Sequence, residues 1–137
     1  MTGIDFCEKF INQAKTINPT AKYQCADIEK YEFDKKYDLV MMLFSLLHIP
    51  RENHQNLLQK IYDSLNQGSI FLLTLRDEDA GVLKFKDDFC GQAMFWSYFD
   101  FDTYKVMLEK IGFTFLYAEN QNQHGISESN NWVILKK

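Results

Sequence analysis

The first part of the chain combines a strand stub, a helix and a second short strand. Residues 1–4 are long enough only for the stub. The apolar positions that follow recur at helical spacing, namely Phe6, Phe10, Ile11, Ala14 and Ile17. We expect Asp5 to cap this helix and Asn18-Pro19 to end it. Residues 21–26 are then predicted to form a strand that ends at Asp27, and residues 29–36 a connection.

Two further amphipathic helices are predicted. The first begins near Pro50, and its buried positions are Leu57, Leu58, Ile61, Tyr62 and Leu65. We expect Gly68 to close it as a left-handed cap, and we expect His54 to lie solvated on its polar face. The second is capped by Asp100 or Asp102 and closed by Gly112, and its apolar positions are Tyr104, Met107, Leu108 and Ile111.

The remaining apolar segments are predicted to be strands. Residues 37–43 contain the unbroken apolar run 39–42, which is typical of a parallel strand covered on both faces. The other predicted extended segments are residues 69–75, 94–99, 113–118 and 132–135, with loops at 76–91 and 119–131. Alternation of strands and helices favours an α/β domain with a largely parallel sheet.

Composition excludes several classes of function. The 137 residues suit one domain. The net charge is −4, and the chain contains no long run of Lys or Arg of the kind that binds nucleic acid. No apolar run is long enough to span a membrane. Cys7, Cys25 and Cys90 have no metal-site spacing, so we expect no metal and a reducing, cytoplasmic location.

Five short motifs carry a family resemblance. They are Gly3-Ile4-Asp5-Phe6, Ala26-Asp27-Ile28-Glu29, Tyr37-Asp38-Leu39-Val40 running into Phe44-Ser45-Leu46-Leu47-His48-Ile49-Pro50, Leu65-Asn66-Gln67-Gly68-Ser69 and Ile111-Gly112-Phe113. In the order and spacing of these motifs, the chain resembles a class I S-adenosylmethionine-dependent methyltransferase that acts on small molecules. The resemblance covers nearly all of residues 1–137 and implies one domain with a Rossmann-like sheet, mostly parallel with an antiparallel last strand.

The resemblance implies S-adenosylmethionine as cofactor and assigns residues to it. Asp5, followed by Phe6, matches the acid that binds both ribose hydroxyls, and the two oxygens of a carboxylate suit such a diol. Asp27 matches the acid that receives the adenine amino group, with the Ile28 N–H facing the ring. Leu43 and Phe44 match the methionine side. Alternatively, Asp5 is only a helix cap, Asp27 a turn residue and Phe44 a core aromatic.

The implied reaction is methyl transfer to a small-molecule acceptor. His48 is the first candidate base and His124 the second, unless both are structural or surface histidines. Trp96 and Tyr98 belong to an aromatic cluster where the family often covers its acceptor. They are candidates to hold an apolar or cationic acceptor, and ordinary core packing is the alternative.

The chain departs from the family pattern at its beginning. It contains no GxG, so the resemblance implies a truncated domain without the first strand, the first helix and the glycine-rich cofactor loop. The missing strand would lie between those of residues 1–5 and 37–43. We expect that these two strands pair directly, that a second chain (a homodimer partner, for example) supplies the strand, or that an N-terminal segment completes the sheet.

Two other functions compete with the methyltransferase hypothesis. The first is a non-catalytic methyltransferase remnant that binds a protein or oligomerises through its sheet edge, and it predicts no response to cofactor. The second is a nicotinamide-binding Rossmann domain, which also needs a glycine-rich turn. The junctions at Gly68-Ser69 and Gly112-Phe113 favour the methyltransferase over this second alternative.

Overall fold

The computed structural model describes residues 1–77, 84–89, 92–122 and 129–137. Contacts divide the chain into two units, Met1–Asp34 and Lys35–Lys137. Each unit has its own strands and helices.

The N-terminal unit is a parallel strand pair connected by a helix. It contains β1 (Thr2–Asp5), α1 (Glu8–Ile17) and β2 (Lys22–Cys25), with β1 and β2 in register from Thr2 opposite Lys22 to Asp5 opposite Cys25. Asn18 follows α1 as predicted, but the N-cap position is Cys7 rather than Asp5. Asp5 is still strand, because its carbonyl accepts the Ala26 N–H at 3.0 Å.

The apolar stripe of α1 is mostly exposed. Ile11 is buried, whereas Phe6 is 79% exposed, and Phe10 and Ile17 are exposed as well. The helical spacing therefore predicted the helix correctly without predicting its burial.

The C-terminal unit contains a four-stranded sheet flanked by helical segments. Its elements are β3 (Tyr37–Met42), two 3-10 turns (Leu46–His48 and Arg51–Asn53), α2 (His54–Ser64), β4 (Leu65–Arg76), β5 (Lys84–Phe89), β6 (Gln92–Trp96), α3 (Phe101–Ile111), β7 (Thr114–Asn122) and β8 (Ser129–Lys136). The sheet order is β3-β4-β8-β7, and β5 and β6 form a separate antiparallel pair. The strand β3 is parallel to β4, and β8 is antiparallel to both of its neighbours, as the fold prediction required.

Direct pairing of β1 with β3, one of the three alternatives for the missing strand, is not among the strand pairs of the described residues. In the part of the chain that the structure describes, β1 pairs with β2 and β3 pairs with β4, in separate sheets. The prediction that β3 is covered on both faces is wrong. Leu39 and Met41, which share one face of β3, are 52% and 54% exposed, so that face is not covered.

Several boundaries differ from the predicted ones. The helix α2 ends at Ser64, and its C-cap is the extended Leu65 rather than Gly68. Gly68 does have a positive φ of 82°, but it lies inside β4 and its N–H donates to the Lys137 carbonyl. The predicted loops are shorter than expected, because β5 occupies part of the first and β7 and β8 extend into the second.

The core of the C-terminal unit takes its fully buried residues mainly from α2, α3, β4 and β8. Its fully buried residues include Leu58, Phe71, Leu73, Leu108, Val133 and Leu135. Asp100 caps α3 by accepting the Thr103 N–H at 2.7 Å, and Gly112 closes it at φ 115°, as predicted. No helix among the described residues is long and apolar enough to cross a membrane.

Candidate functional site

The two acids that the motifs single out lie at the same rim of the N-terminal unit. Asp5 ends β1, and Asp27 follows the end of the parallel strand β2. The Asp5 Oδ1 accepts the Cys7 N–H at 2.7 Å. The Asp27 carboxylate accepts the Glu29 N–H at 3.0 Å and lies 3.4 Å from the exposed Lys30 Nζ.

The residues beside these acids lie at the same rim. Phe6 is exposed, and its carbonyl accepts the Cys25 thiol at 3.4 Å. Ile28 is half-buried in the turn that Asp27 begins. The four predicted cofactor residues of this unit thus share the carboxyl ends of β1 and β2, which is where open α/β sheets bind ligands.

Strained backbone marks the carboxyl end of β3. Phe44 has a φ of 51°, which is rare for a bulky residue and is typical of functional sites. Its N–H donates to the Thr74 Oγ1 at 2.6 Å, and its ring packs edge-on against Trp132 at 5.7 Å. Leu43 and Phe44 are both partly exposed, at 36% and 41%, so Phe44 is not an ordinary core aromatic.

His48 is held in one tautomer. Its Nδ1 lies 3.0 Å from the Phe95 carbonyl, which can only accept, so Nδ1 is the donor and, in the neutral ring, the lone pair lies on Nε2. The half-buried ring also packs against Trp96 at 5.2 Å. His124, the second candidate base, lies outside the described residues.

Residues 95–99 are connected to the 3-10 turns by hydrogen bonds. The Ser97 N–H donates to the Leu47 carbonyl at 2.9 Å, and the Ser97 Oγ accepts the Arg51 N–H at 2.9 Å. The Arg51 guanidinium lies 4.8 Å from the centre of the Phe99 ring. These contacts hold the aromatic segment beside His48.

His54 anchors this segment from the interior, which corrects its predicted solvation. The side chain is fully buried, and its Nε2 donates to the Ile49 carbonyl at 2.8 Å. Its Nδ1 accepts from the Tyr104 hydroxyl at 2.8 Å, and that hydroxyl accepts the Phe99 N–H. Burial lowers the pKa of His54 below its usual value, because desolvation disfavours the charged imidazolium.

Sequence reasoning missed one residue of this region, Arg76. Trp96 and Tyr98 are only 7% and 5% exposed, and the Arg76 guanidinium lies 4.8 Å from the Trp96 ring centre and 5.9 Å from that of Tyr98. The signal was present in the sequence, because an arginine directly follows the predicted buried strand at 69–75. The carboxyl end of such a strand is where ligand-binding side chains are expected.

The structure thus groups the predicted residues in two sets. Asp5, Phe6, Asp27 and Ile28 share the N-terminal unit, while Leu43, Phe44, His48, Trp96 and Tyr98 belong to the C-terminal unit. Within the described ranges, no cluster of three or more His, Cys, Asp or Glu side chains could hold a metal ion.

Comparison with known proteins supports the fold prediction. The sequence model of the methyltransferase domain family matches residues 1–68. A SAM-dependent methyltransferase from Methanosarcina mazei is 15% identical, with a TM-score of 0.79 over 99% of this chain and 81% of that chain. An S-adenosylmethionine-dependent methyltransferase from Mesorhizobium loti is also 15% identical, with a TM-score of 0.77 over 99% of this chain and 80% of that chain.

A structure in complex with S-adenosyl-l-homocysteine is also similar. The N-methyltransferase NodS from Bradyrhizobium japonicum WM9, in complex with S-adenosyl-l-homocysteine, is 13% identical with a TM-score of 0.75, over 99% of this chain and 65% of that chain. No curated protein sequence matches this chain. At these identities the structural likeness establishes the fold.

Proposed function

We propose that this chain, which has the fold of class I S-adenosylmethionine-dependent methyltransferases and matches the methyltransferase domain family over residues 1–68, transfers a methyl group to a small-molecule acceptor. The observation that carries the proposal is the placement of Asp5 and Asp27 at the carboxyl ends of two adjacent parallel strands. The family match favours this function over a non-catalytic remnant.

Asp5 and Asp27 would bind the nucleoside of S-adenosylmethionine. One Asp5 oxygen accepts the Cys7 N–H, which orients the carboxylate so that its second oxygen can accept from a ribose hydroxyl. Ile28, in the turn that Asp27 begins, would direct its N–H toward the adenine, and the exposed Phe6 would add an apolar surface. Leu43 and Phe44 would line the methionine side, since their partly exposed side chains follow β3.

When bound, the sulfonium supplies an activated methyl group and a good leaving group. The chain's own residues then have to orient the acceptor, exclude water and remove a proton. His48 suits the last task, because the Phe95 carbonyl keeps the proton on Nδ1 and leaves the Nε2 lone pair to accept one from an acceptor N–H or O–H. His124 is the second candidate base. Trp96 and Tyr98 would line the binding site of the methyl acceptor.

Calorimetry with S-adenosylhomocysteine tests cofactor binding without knowledge of the acceptor. We expect saturable binding that Asp5→Asn weakens by about tenfold, since a bond to a charged acceptor contributes roughly 1.5–3 kcal/mol. The matched control is Asp63→Asn, a change in an exposed acid of α2. A wild-type chain that gives no heat at millimolar ligand would contradict the proposal.

His48→Gln tests the base separately from cofactor binding. The variant should bind S-adenosylhomocysteine like the wild type, because His48 is assigned to the acceptor. Its methyl transfer to a screened acceptor should fall by about 10²-fold or more. Unchanged turnover would remove His48 from the mechanism.

The exposed edge of β3 supports a second chain or an N-terminal segment as the partner that completes the sheet. Leu39 and Met41 present apolar surface on one face of β3, and β3 has a sheet neighbour on one side among the described strands. Light scattering after gel filtration tests this part of the proposal. A dimer supports a second copy, and Leu39→Lys should then yield monomers, whereas a wild-type monomer rules the second copy out.

A further inference from the structure

The candidate base His48 is held by two separate segments of the chain. Its backbone belongs to the 3-10 turn Leu46–His48, whereas the Phe95 carbonyl that accepts from its Nδ1 belongs to β6. The tautomer of His48 therefore depends on the separation of this turn from residues 95–99. Because a hydrogen bond of 3.0 Å is lost once its two atoms move apart by about 0.6 Å, a small movement of either segment releases the ring.

His54 connects the same two segments from the interior. Its Nε2 lies 2.8 Å from the carbonyl of Ile49, the residue that follows His48. Its Nδ1 lies 2.8 Å from the Tyr104 hydroxyl, and that hydroxyl accepts the Phe99 N–H at 3.3 Å. Hydrogen bonds therefore run without interruption from the turn that carries His48 to the segment that holds its Nδ1. We call this chain of bonds, from Ile49 through His54 and Tyr104 to Phe99, the bridge.

The neutral ring of His54 suits both of its bonds. A carbonyl can only accept, so Nε2 is the donor, and Nδ1 then accepts from the Tyr104 hydroxyl. The side chain is fully buried, and burial lowers its pKa because desolvation disfavours the charged imidazolium. Since both ring nitrogens are engaged inside the protein, His54 acts on its neighbours rather than on a ligand.

Ring packing fixes the orientation of the bridge. The His54 ring stacks on Tyr104 with 5.8 Å between the ring centres. Both rings meet Phe99 edge-on, at 6.2 Å from His54 and 5.8 Å from Tyr104. Close-packed side chains of this kind leave little room for a ring to move. The bridge therefore sets a fixed separation between the two segments.

A second attachment acts at a different place. The Ser97 N–H donates to the Leu47 carbonyl at 2.9 Å, and the Ser97 Oγ accepts the Arg51 N–H. These bonds fix the middle of residues 95–99, while the bridge fixes the end at Phe99. Loss of the bridge should thus loosen the segment without detaching it, and the His48 ring should then exchange between bonded and unbonded positions.

We propose that His54 is a positioning residue for His48, because the bridge keeps the turn and residues 95–99 at the separation at which the Phe95 carbonyl selects the Nδ1-protonated tautomer. In that tautomer His48 directs the lone pair of Nε2 to the methyl acceptor. This inference rests on the proposed function, in which His48 is the base. It gives a buried residue that contacts neither cofactor nor acceptor a consequence for the reaction.

Nitrogen NMR of the imidazole rings tests the proposal without knowledge of the acceptor. The shifts of the two ring nitrogens report which one carries the proton, and the chain has three histidines to assign. Spectra of the full chain would be recorded at pH 8, above the ordinary histidine pKa of about 6.5. Wild-type His48 should carry its proton on Nδ1. His54→Phe keeps a ring but removes both bonds, so His48 should become a mixture of tautomers.

Two further variants grade this result. His54→Gln retains a donor for the Ile49 carbonyl, so its His48 shifts should fall between those of the wild type and of His54→Phe. The matched control is Leu135→Ala, which removes a fully buried side chain of β8 that belongs to none of the bonds of the bridge. It should lower the melting temperature and leave His48 in the wild-type tautomer.

Kinetics with a screened acceptor separates action through His48 from general damage. His54→Phe should lower kcat by about tenfold or more and change the KM of the acceptor by less than about twofold. In a His48→Gln background the same substitution should lower kcat no further, because the group that it positions is gone. Independent, multiplying losses in the double variant would contradict the positioning role.

The inference is overturned if His48 keeps the wild-type tautomer in His54→Phe, or if Leu135→Ala gives the same mixture. Should His54→Phe fail to fold by circular dichroism, Tyr104→Phe decides, since it removes only the hydroxyl that joins His54 to Phe99. Unchanged His48 shifts there would overturn the bridge. Calorimetry with S-adenosylhomocysteine on the same samples separates the two proposals. Tautomer selection that depends on His54, without cofactor binding, would refute the methyltransferase function and leave the positioning in place.

Discussion

In Met1–Asp34 the apolar face of α1 buries Ile11 and leaves Phe10 and Ile17 exposed, whereas α2 in Lys35–Lys137 buries Leu57, Leu58 and Ile61 almost completely. Both helices have apolar residues at the same spacing. The difference is the surface opposite them, because α1 accompanies a two-stranded sheet and α2 accompanies a four-stranded one. A two-stranded sheet offers too little apolar area to support an independent core. Periodicity therefore selects the helix, and the neighbouring sheet decides how much of it is buried.

The largest effect that separates the two regions should come from truncating one buried leucine. Leu58→Ala removes a fully buried side chain of α2 and should lower the free energy of unfolding by about 2–5 kcal/mol. Ile17→Ala in α1, where the side chain is 76% exposed, should change it by no more than about 0.5 kcal/mol. Urea unfolding followed by circular dichroism measures both. Similar losses would show that α1 is buried in solution.

A smaller effect on the free energy of unfolding should distinguish alanine substitutions at two glycines that both lie against tyrosine rings. A Cβ at Gly112 would lie 2.8 Å from the Tyr62 Oη, and its φ of 115° strains any other residue. Tyr62 cannot easily retreat, because it packs on Phe113 and on Lys137. Gly112→Ala should cost about 2 kcal/mol or more in unfolding free energy.

The N-terminal counterpart is Gly3, where a Cβ would lie 2.9 Å from the ring of Tyr23, a half-exposed side chain in the short strand β2. Gly3→Ala should cost under about 1 kcal/mol, since φ is not in the left-handed region and the ring can turn away. Thermal melts of the two variants compare them directly. A larger loss at Gly3 would mean that the N-terminal unit is the more tightly packed of the two.

Acid should destabilise the C-terminal unit through His54. Burial lowers the folded-state pKa of His54, so the unfolded chain binds the proton more readily. The stabilisation is complete above the unfolded pKa of about 6.5 and is lost as the pH falls through the lower folded value. Melting temperatures between pH 7.5 and 5 should therefore decrease, and His54→Gln should flatten that decrease. An unchanged slope in the variant would assign the pH dependence to other groups.

The smallest expected effect is on the pH dependence of the melting temperature. It concerns two carboxylates that accept hydrogen bonds of equal length. Asp5 accepts the Cys7 N–H and Asp100 the Thr103 N–H, both at 2.7 Å, but only Asp100 is the N-cap of its helix. The Thr103 N–H lowers the pKa of Asp100, so its contribution is present above the unfolded pKa of about 3.9 and is lost as the pH falls through the lower folded value.

Asp100→Asn should therefore reduce the pH dependence of the melting temperature below pH 4 slightly. Melting curves from pH 5 to 3 in cofactor-free buffer provide the measurement. An unchanged pH dependence in the variant would assign it to carboxylates other than Asp100.

Local signals predicted a large part of the fold. The Asp100 cap and the Gly112 closure of α3 follow from rules about single residues, and the structure confirms both. The motif acids Asp5 and Asp27 lie at one rim, because β1 and β2 are parallel and in register. Their ligand roles remain predictions. Gly68 shows the limit of such rules, since its positive φ lies inside a strand rather than at a helix end.

The amino-acid sequence by itself determined the type and order of the helices and main strands and the positions of the acids, because spacing, caps and turns act over a few residues. Tertiary structure alone decided that His54 is buried on Ile49 and Tyr104, and that β3 is an edge strand with an exposed apolar face. It also placed Arg76 over Trp96 and Tyr98. These features depend on which elements meet across long separations in the chain, and no local pattern encodes such meetings.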